Sequence, residues 1–172
     1  MKRMLVVVDM QNDFVTGILG TSCAQSIIPK VKEKIERFKK EGHHIIFLKD
    51  THDENYLKTQ EGKFLPVLHC VKGEQGHQIV NELNANDCVV FEKKSFGSIE
   101  FAQSIADTVK NCDTIELCGV CTDICVVSNA LILKACYPEC PIVVDSLACA
   151  GTTLQNHQAA LTTMKMCQIE VL

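Results

Sequence analysis

The chain has 172 residues, 47% hydrophobic and 22% charged, with a formal net charge of −4 and a pI near 5.8. That length suits one domain with a sizeable core, and the acidic balance argues against nucleic acid or an anionic membrane as a partner. No apolar run reaches the roughly 18 residues of a membrane span, and the opening MKRMLVVVDMQNDF reads as a buried strand and not as a signal peptide.

Strands and helices alternate from there. Met4-Leu5-Val6-Val7-Val8 is an unbroken apolar run, as a central parallel strand covered on both faces requires, and Asp9 sits where it ends. Pro29 falls in the first turn of a helix that puts Val31, Ile35 and Phe38 on one face. Its charged remainder, Lys30, Lys32, Glu33, Lys34, Glu36, Arg37, Lys39 and Lys40, reads as a solvated face, and Gly42 stops it. Residues 44–48 form a second strand running into Lys49-Asp50. Residues 51–76 have weak periodicity and read as a long loop, which in a compact domain is usually functional. A short helix is expected over 77–83, and a third strand over 87–91 running into Glu92-Lys93-Lys94. Residues 98–109 read as one helix, 114–117 as a fourth strand, 141–145 as a fifth, 152–166 as the last long helix and 167–172 as a final strand. The alternation gives an α/β fold, a three-layer α/β/α sandwich with a mainly parallel central sheet, as one domain over 1–172. Ligands bind such sheets at the carboxyl ends of strands. Asp9, Asp50, Lys93 and the turn at 119–125 all fall on that edge.

The most informative stretch is ELCGVCTDICVVSNALILKA, residues 116–135. It reads as the end of a buried strand, a sharp turn at Gly119, then a helix with Thr122 and Asp123 as N-cap candidates and apolar residues continuing at helical spacing. Cys125 falls in the first turn, where helix-end N–H groups lower a thiol pKa and can hold an oxyanion, so it is the candidate nucleophile. Most of the other ten cysteines read as small core residues. They are expected to be reduced thiols in a cytoplasmic protein. A zinc site at Cys118, Cys121 and Cys125 is disfavoured because the three straddle strand, turn and helix and would point apart. Asp9, at the end of an apolar strand, is the candidate base, since partial desolvation raises a carboxylate pKa. Asp50, His52, Glu61 and His69 are oxygen and imidazole groups suited to one divalent metal, Zn or else Mn or Fe. The spacing Asp50-x-His52 puts two of them on one side of an extended segment.

Together these motifs resemble the isochorismatase-like cysteine hydrolases, and among them the nicotinamidases. The segment Gly119-Val120-Cys121-Thr122 followed by Cys125 matches the family's nucleophile pattern, and Asp9-Met10-Gln11-Asn12-Asp13-Phe14 matches its DxQNDF motif. The resemblance implies a catalytic triad of Asp9, Lys93 and Cys125, with Lys94 as the alternative to Lys93. It also implies a cis peptide between Val120 and Cys121 that aims the Cys121 N–H, with that of Cys125, at an oxyanion. The Asp-x-His pair and the Pro66-containing run before His69 are similar to the family's metal loop, with Glu61 in the place of the usual third ligand. Phe14, Phe64 and Phe96 are the aromatics implied around the substrate, Phe64 being nearest to where a ring stacks on pyridine. Asn156-His157-Gln158 resembles a family helix start and is assigned a structural role, and Gln11 is expected to orient Asp9 or a nearby water.

The activity so implied is metal-dependent hydrolysis of nicotinamide to nicotinate and ammonia, a step of NAD salvage. A related cysteine hydrolase acting on another small amide, carbamoyl or isochorismate-like substrate is the alternative. A non-catalytic or thiol-redox binding module is the third reading. The expected partner is a small-molecule amide, with no nucleic acid and no membrane, and the sequence leaves homo-oligomerisation open.

Overall fold

In the computed structural model, which describes residues 2–172, six strands form one sheet in the order β3-β2-β1-β4-β5-β6, every neighbouring pair parallel. The strands are β1 (Lys2–Val8), β2 (His44–Asp50), β3 (Val89–Lys93), β4 (Cys112–Val120), β5 (Ile142–Ala150) and β6 (Glu170–Val171). Met4 to Val8 are fully buried, as their uninterrupted apolar character demands. Strand order reverses direction between β1 and β4, and at such a switch point the connections diverge and leave a crevice. Helices α1 (Asn12–Val15) and α2 (Ser22–Ser26) follow β1, and α3 (Ile28–Lys40) packs on β1, β2 and β5. The last two helices, α7 (Val127–Cys136) and α8 (Leu154–Met166), pack on β5, and α8 also meets β6. Among the described residues no helix is long and apolar enough to cross a membrane.

Five expectations are corrected by the fold. The 98–109 helix is two, α5 (Ile99–Ser104) and α6 (Ala106–Val109), parted at Ile105. Ser104 Oγ there donates to the Phe101 carbonyl at 2.8 Å and competes with the helical ladder. Residues 77–83 do not form one helix but run from the end of one short 3₁₀ turn (Gln75–His77) into another (Asn81–Leu83), because the backbone between them pairs with residues 10–12. Asn12 N–H donates to Gln78, Val80 N–H donates to Met10, and Gln11 bridges to Ile79. The 51–76 loop contains a 3₁₀ turn (Tyr56–Lys58) and α4 (Gln60–Phe64). Lys34, read as solvated, is 6% exposed. Its ammonium is ion-paired with Glu116 of β4 and lies 2.5 Å from Asp145 Oδ2 of β5. Only a carboxylate on the sheet beneath α3 makes that burial tolerable. The final strand is also shorter than expected, at two residues.

Candidate active site

Three strand ends deliver the central cluster. Asp9 follows β1 in a left-handed backbone conformation (φ 51°), which Asp tolerates better than most residues, and its N–H donates to Leu48 of β2 at 3.0 Å. Lys93 closes β3 opposite Asp50 of β2. Side chains alternate along a strand, so Lys93 points inward (2% exposed) while Lys94 is exposed. Lys93 Nζ lies 2.8 Å from Asp9 Oδ2, 3.2 Å from Asp50 Oδ1 and 3.8 Å from Cys125 Sγ. Lys93 is thus the lysine that reaches the cluster.

The nucleophile turn is shaped by close approach. Gly119 has φ +117°, and a Cβ there would sit 2.1 Å from the Val8 carbonyl oxygen, so no other residue lets β4 pass β1 at this point. The Val120–Cys121 peptide is cis. Residues Thr122–Val126 then make a single π turn, Val126 N–H reaching the Cys121 carbonyl at 3.0 Å, before α7 begins. Thr122 and Asp123, the N-cap candidates of the sequence, do not cap it, because both bind residues at the start of α8 instead. Thr122 Oγ1 meets His157 Nδ1 at 2.8 Å, and the Asp123 carboxylate accepts from the Thr152 N–H at 2.8 Å and hydroxyl at 2.5 Å.

The charges follow from burial. Burial raises the Asp9 carboxyl to about 6, more than the adjacent Lys93 lowers it. Its oxygens make no directed hydrogen bond to a protein N–H or hydroxyl, which leaves the Lys93 ion pair and the Cys125 thiol as its neighbours. Burial would lower the Lys93 ammonium, but Asp9, Cys125 and Asp50 together raise it. The Cys125 thiol is pushed well above its ordinary value, by burial first and then by Asp9. The expected lowering by the helix end is therefore reversed, since a desolvated thiol beside a carboxylate outweighs one turn of dipole.

Asp50 joins this cluster to a second one. Its Oδ1 faces Lys93, while Oδ2 lies 3.0 Å from His52 Nε2 and 3.7 Å from His69 Nε2. His52 Nε2 is 3.8 Å from Glu61 Oε1, and one ligand-type atom from each of Asp50, His52, Glu61 and His69 lies within 4.8 Å of the others. Four ligands around one zinc-sized ion sit about 3.4 Å apart, so the set fits a divalent metal with small adjustments. His69 supports the fit: Nδ1 donates to the Val67 carbonyl at 2.7 Å, leaving the Nε2 lone pair facing the cluster. Tyr56 packs on both imidazoles, with centroids 4.5 and 4.9 Å away. Burial alone would raise Asp50, yet His52, His69 and Lys93 hold its carboxyl below the usual range. No cysteine joins this set.

A cavity of about 270 Å³ opens above both clusters, lined by Asp9, Cys125, Asp50, Glu61 and His69 and walled by Phe14, Phe96, Val120 and Cys121. It lies at the small end of ligand pockets. Over residues 3–172 the chain matches the isochorismatase domain. The chain belongs to the isochorismatase family. It superposes on the pyrazinamidase of Pyrococcus horikoshii, solved in complex with zinc, with a TM-score of 0.86 at 29% identity, covering 100% of this chain and 99% of that one. It is 27% identical to an isochorismatase family protein of Bacillus subtilis over 94% of this chain and 93% of the relative. The N-carbamoylsarcosine amidase of Thermoplasma acidophilum superposes with a TM-score of 0.82 at 26% identity, covering 99% and 95%.

Within this isochorismatase site two sequence expectations are displaced. Phe64 is 83% exposed and lies outside the cavity, because α4 turns it to solvent. Leu65, with Leu19, lines the wall in its place. Gln11 does not bond Asp9 but clasps the Asp50 backbone, accepting its N–H at 2.7 Å and donating to its carbonyl at 2.8 Å and to that of His77 at 3.0 Å. The sequence reading also missed Ile124 and the wall at 150–152. That wall exists because β5 continues to Ala150 past a register shift, and the small-residue run Ala148-Cys149-Ala150-Gly151 was its one visible signal.

Proposed function

We propose that the chain is a cysteine amidohydrolase acting on nicotinamide or a near relative, with Asp9 as base, Cys125 as nucleophile and Lys93 as the cation that holds both. The observation that carries this reading is the position of Lys93 Nζ, within 3.8 Å of Cys125 Sγ, Asp9 and Asp50, three residues that line one cavity. A thiol well above its ordinary pKa beside a carboxyl at about 6 is a resting acid–base pair. When an amide enters, Asp9 takes the thiol proton and the sulfur adds to the carbonyl carbon, while Lys93 offsets the charge passing between them. The N–H groups of Cys121 and Cys125 are assigned to the oxyanion. Asp9 then returns the proton to the departing ammonia, takes one from the water that cleaves the thioester, and the sulfur leaves as thiol.

Asp50, His52, Glu61 and His69 are the residues assigned to a divalent ion, which would supply a Lewis acid for the ring nitrogen of a pyridine or pyrazine amide. Gln11 supports that role by fixing the Asp50 backbone from both sides. A second reading, another small amide or carbamoyl compound, is favoured by one observation: Leu65 and not an aromatic from the metal loop faces the cavity. The eleven free thiols support a cytoplasmic setting.

The deciding experiment measures ammonia released from nicotinamide, pyrazinamide and N-carbamoylsarcosine by the wild type and by Cys125→Ala. Release from the two aromatic amides that vanishes in the alanine variant is the expected result. Release from the carbamoyl compound alone moves the assignment to the second reading, and retained turnover by Cys125→Ala removes the nucleophile.

A further inference from the structure

Asn129 lies on α7 one turn beyond Cys125 and is 1% exposed. Its Nδ2 donates to the Cys125 carbonyl at 2.8 Å and to the Phe96 carbonyl at 2.9 Å, and its Oδ1 accepts from the Ser98 N–H at 3.1 Å. Both amide hydrogens and the oxygen are thereby engaged. The segment between the two anchor points lies hard against α7: a Cβ on Gly97 would come 2.6 Å from Ile132 Cδ1 and 3.1 Å from Ser128 Cβ. Phe96 lines the cavity but is 42% exposed and takes no part in the hydrophobic core. Core packing therefore does not hold its ring. What holds it is its backbone, and one side chain ties that backbone to the nucleophile's own carbonyl.

We propose that Asn129 is a positioning residue that fixes the aromatic wall at Phe96 relative to the Cys125 sulfur, and so sets the preference for flat-ring amides over aliphatic ones. It rests on the hydrolase reading for its consequence in turnover, but the geometry can be read without turnover. Asn129 contacts neither sulfur nor cavity, so its effect passes through Phe96.

The informative substitution is Asn129→Thr. A threonine hydroxyl can still bond the carbonyl four residues back, that of Cys125, but is too short to span to Phe96. The first readout is alkylation of Cys125, followed by peptide mapping, with an N-phenyl haloacetamide and with iodoacetamide. The ratio of the two rates reports the aromatic wall alone. Asn129→Thr is expected to lower that ratio roughly three- to tenfold, the value of one aromatic contact, with the iodoacetamide rate unchanged. In turnover the same variant raises KM for nicotinamide by a similar factor and leaves kcat within about twofold.

Phe96→Ala, at an exposed position, should reproduce the effect, and adding Asn129→Thr to it should change nothing further. An unchanged ratio in Asn129→Thr overturns the proposal, as does an equal fall of both alkylation rates, which marks general loosening. Full additivity with Phe96→Ala does so as well, and an unchanged ratio in Phe96→Ala alone overturns it even should Asn129→Thr fail to fold. A wild type that releases no ammonia from any amide defeats the functional reading while the alkylation ratio still decides the role of Asn129.

Discussion

Asp9→Asn should cut turnover sharply and yet stabilise the protein at neutral pH. Asp9 is wholly buried, and its carboxyl is raised from 3.8 to about 6 with Lys93 already beside it. An acid whose folded pKa is raised binds its proton more tightly folded than unfolded. Its stability contribution is therefore greatest at low pH and is lost as the pH rises from about 4 to about 6. Carrying the charge above pH 6 costs about 3 kcal/mol at about 1.4 kcal/mol per tenfold change. Asparagine has nearly the shape of the protonated acid and cannot ionise, so it escapes that cost. Urea denaturation of the two proteins should give a variant more stable by up to about 3 kcal/mol at pH 7.5, the gap shrinking to about 1 kcal/mol at pH 4.5. Turnover should fall by about 10²- to 10⁴-fold, the usual value of a general base. A variant less stable than the wild type at pH 7.5, or a gap that widens on acidification, refutes the electrostatic reasoning. Retained turnover refutes the role of base.

The same carboxyl predicts an acidic limb in kcat/KM centred near pH 6, absent in Asp9→Asn, because the base must be ionised to act. Lys93→Ala should be inactive and should lose about 3–5 kcal/mol, since two buried carboxylates are left facing each other, whereas Lys94→Ala should be within about 0.5 kcal/mol of wild type and fully active. Elemental analysis should find close to one divalent metal per chain, about one ion for one four-ligand set, lowered in His52→Ala and His69→Ala and, through Asp50, in Gln11→Ala; metal-free protein with full nicotinamide turnover in chelator sinks the metal assignment. Lys34→Met should cost about 3–5 kcal/mol without changing KM, as Glu116 and Asp145 lose their cation far from the cavity.

Much of this architecture was legible because the fold speaks through local rules. A five-residue apolar run has only one place in a doubly covered sheet, and strand ends on one edge bring Asp9, Asp50 and Lys93 together whatever the loops do. What stayed hidden depended on partners distant in sequence. Lys34 looks like its solvated neighbours until Glu116, 82 residues away, is placed beneath it. The π turn at Cys125 and the reassigned caps Thr122 and Asp123 follow from the start of α8, where His157 on the helix and Thr152 just before it bind them. The direction of the Cys125 shift was misjudged because a local helix end is visible in sequence and complete burial is not.

The protonated resting state of Cys125 bears on how the protein ages. Peroxides attack thiolate and leave thiol largely alone, so under the proposed mechanism, in which the sulfur gives up its proton only as an amide arrives, Cys125 is spared between turnovers. Cys23, Cys136 and Cys167 are exposed, and they meet oxidants first. Damage in an oxidising cell should then accumulate at the surface, where it costs no catalysis, and a count of oxidised cysteines would be a poor measure of lost function.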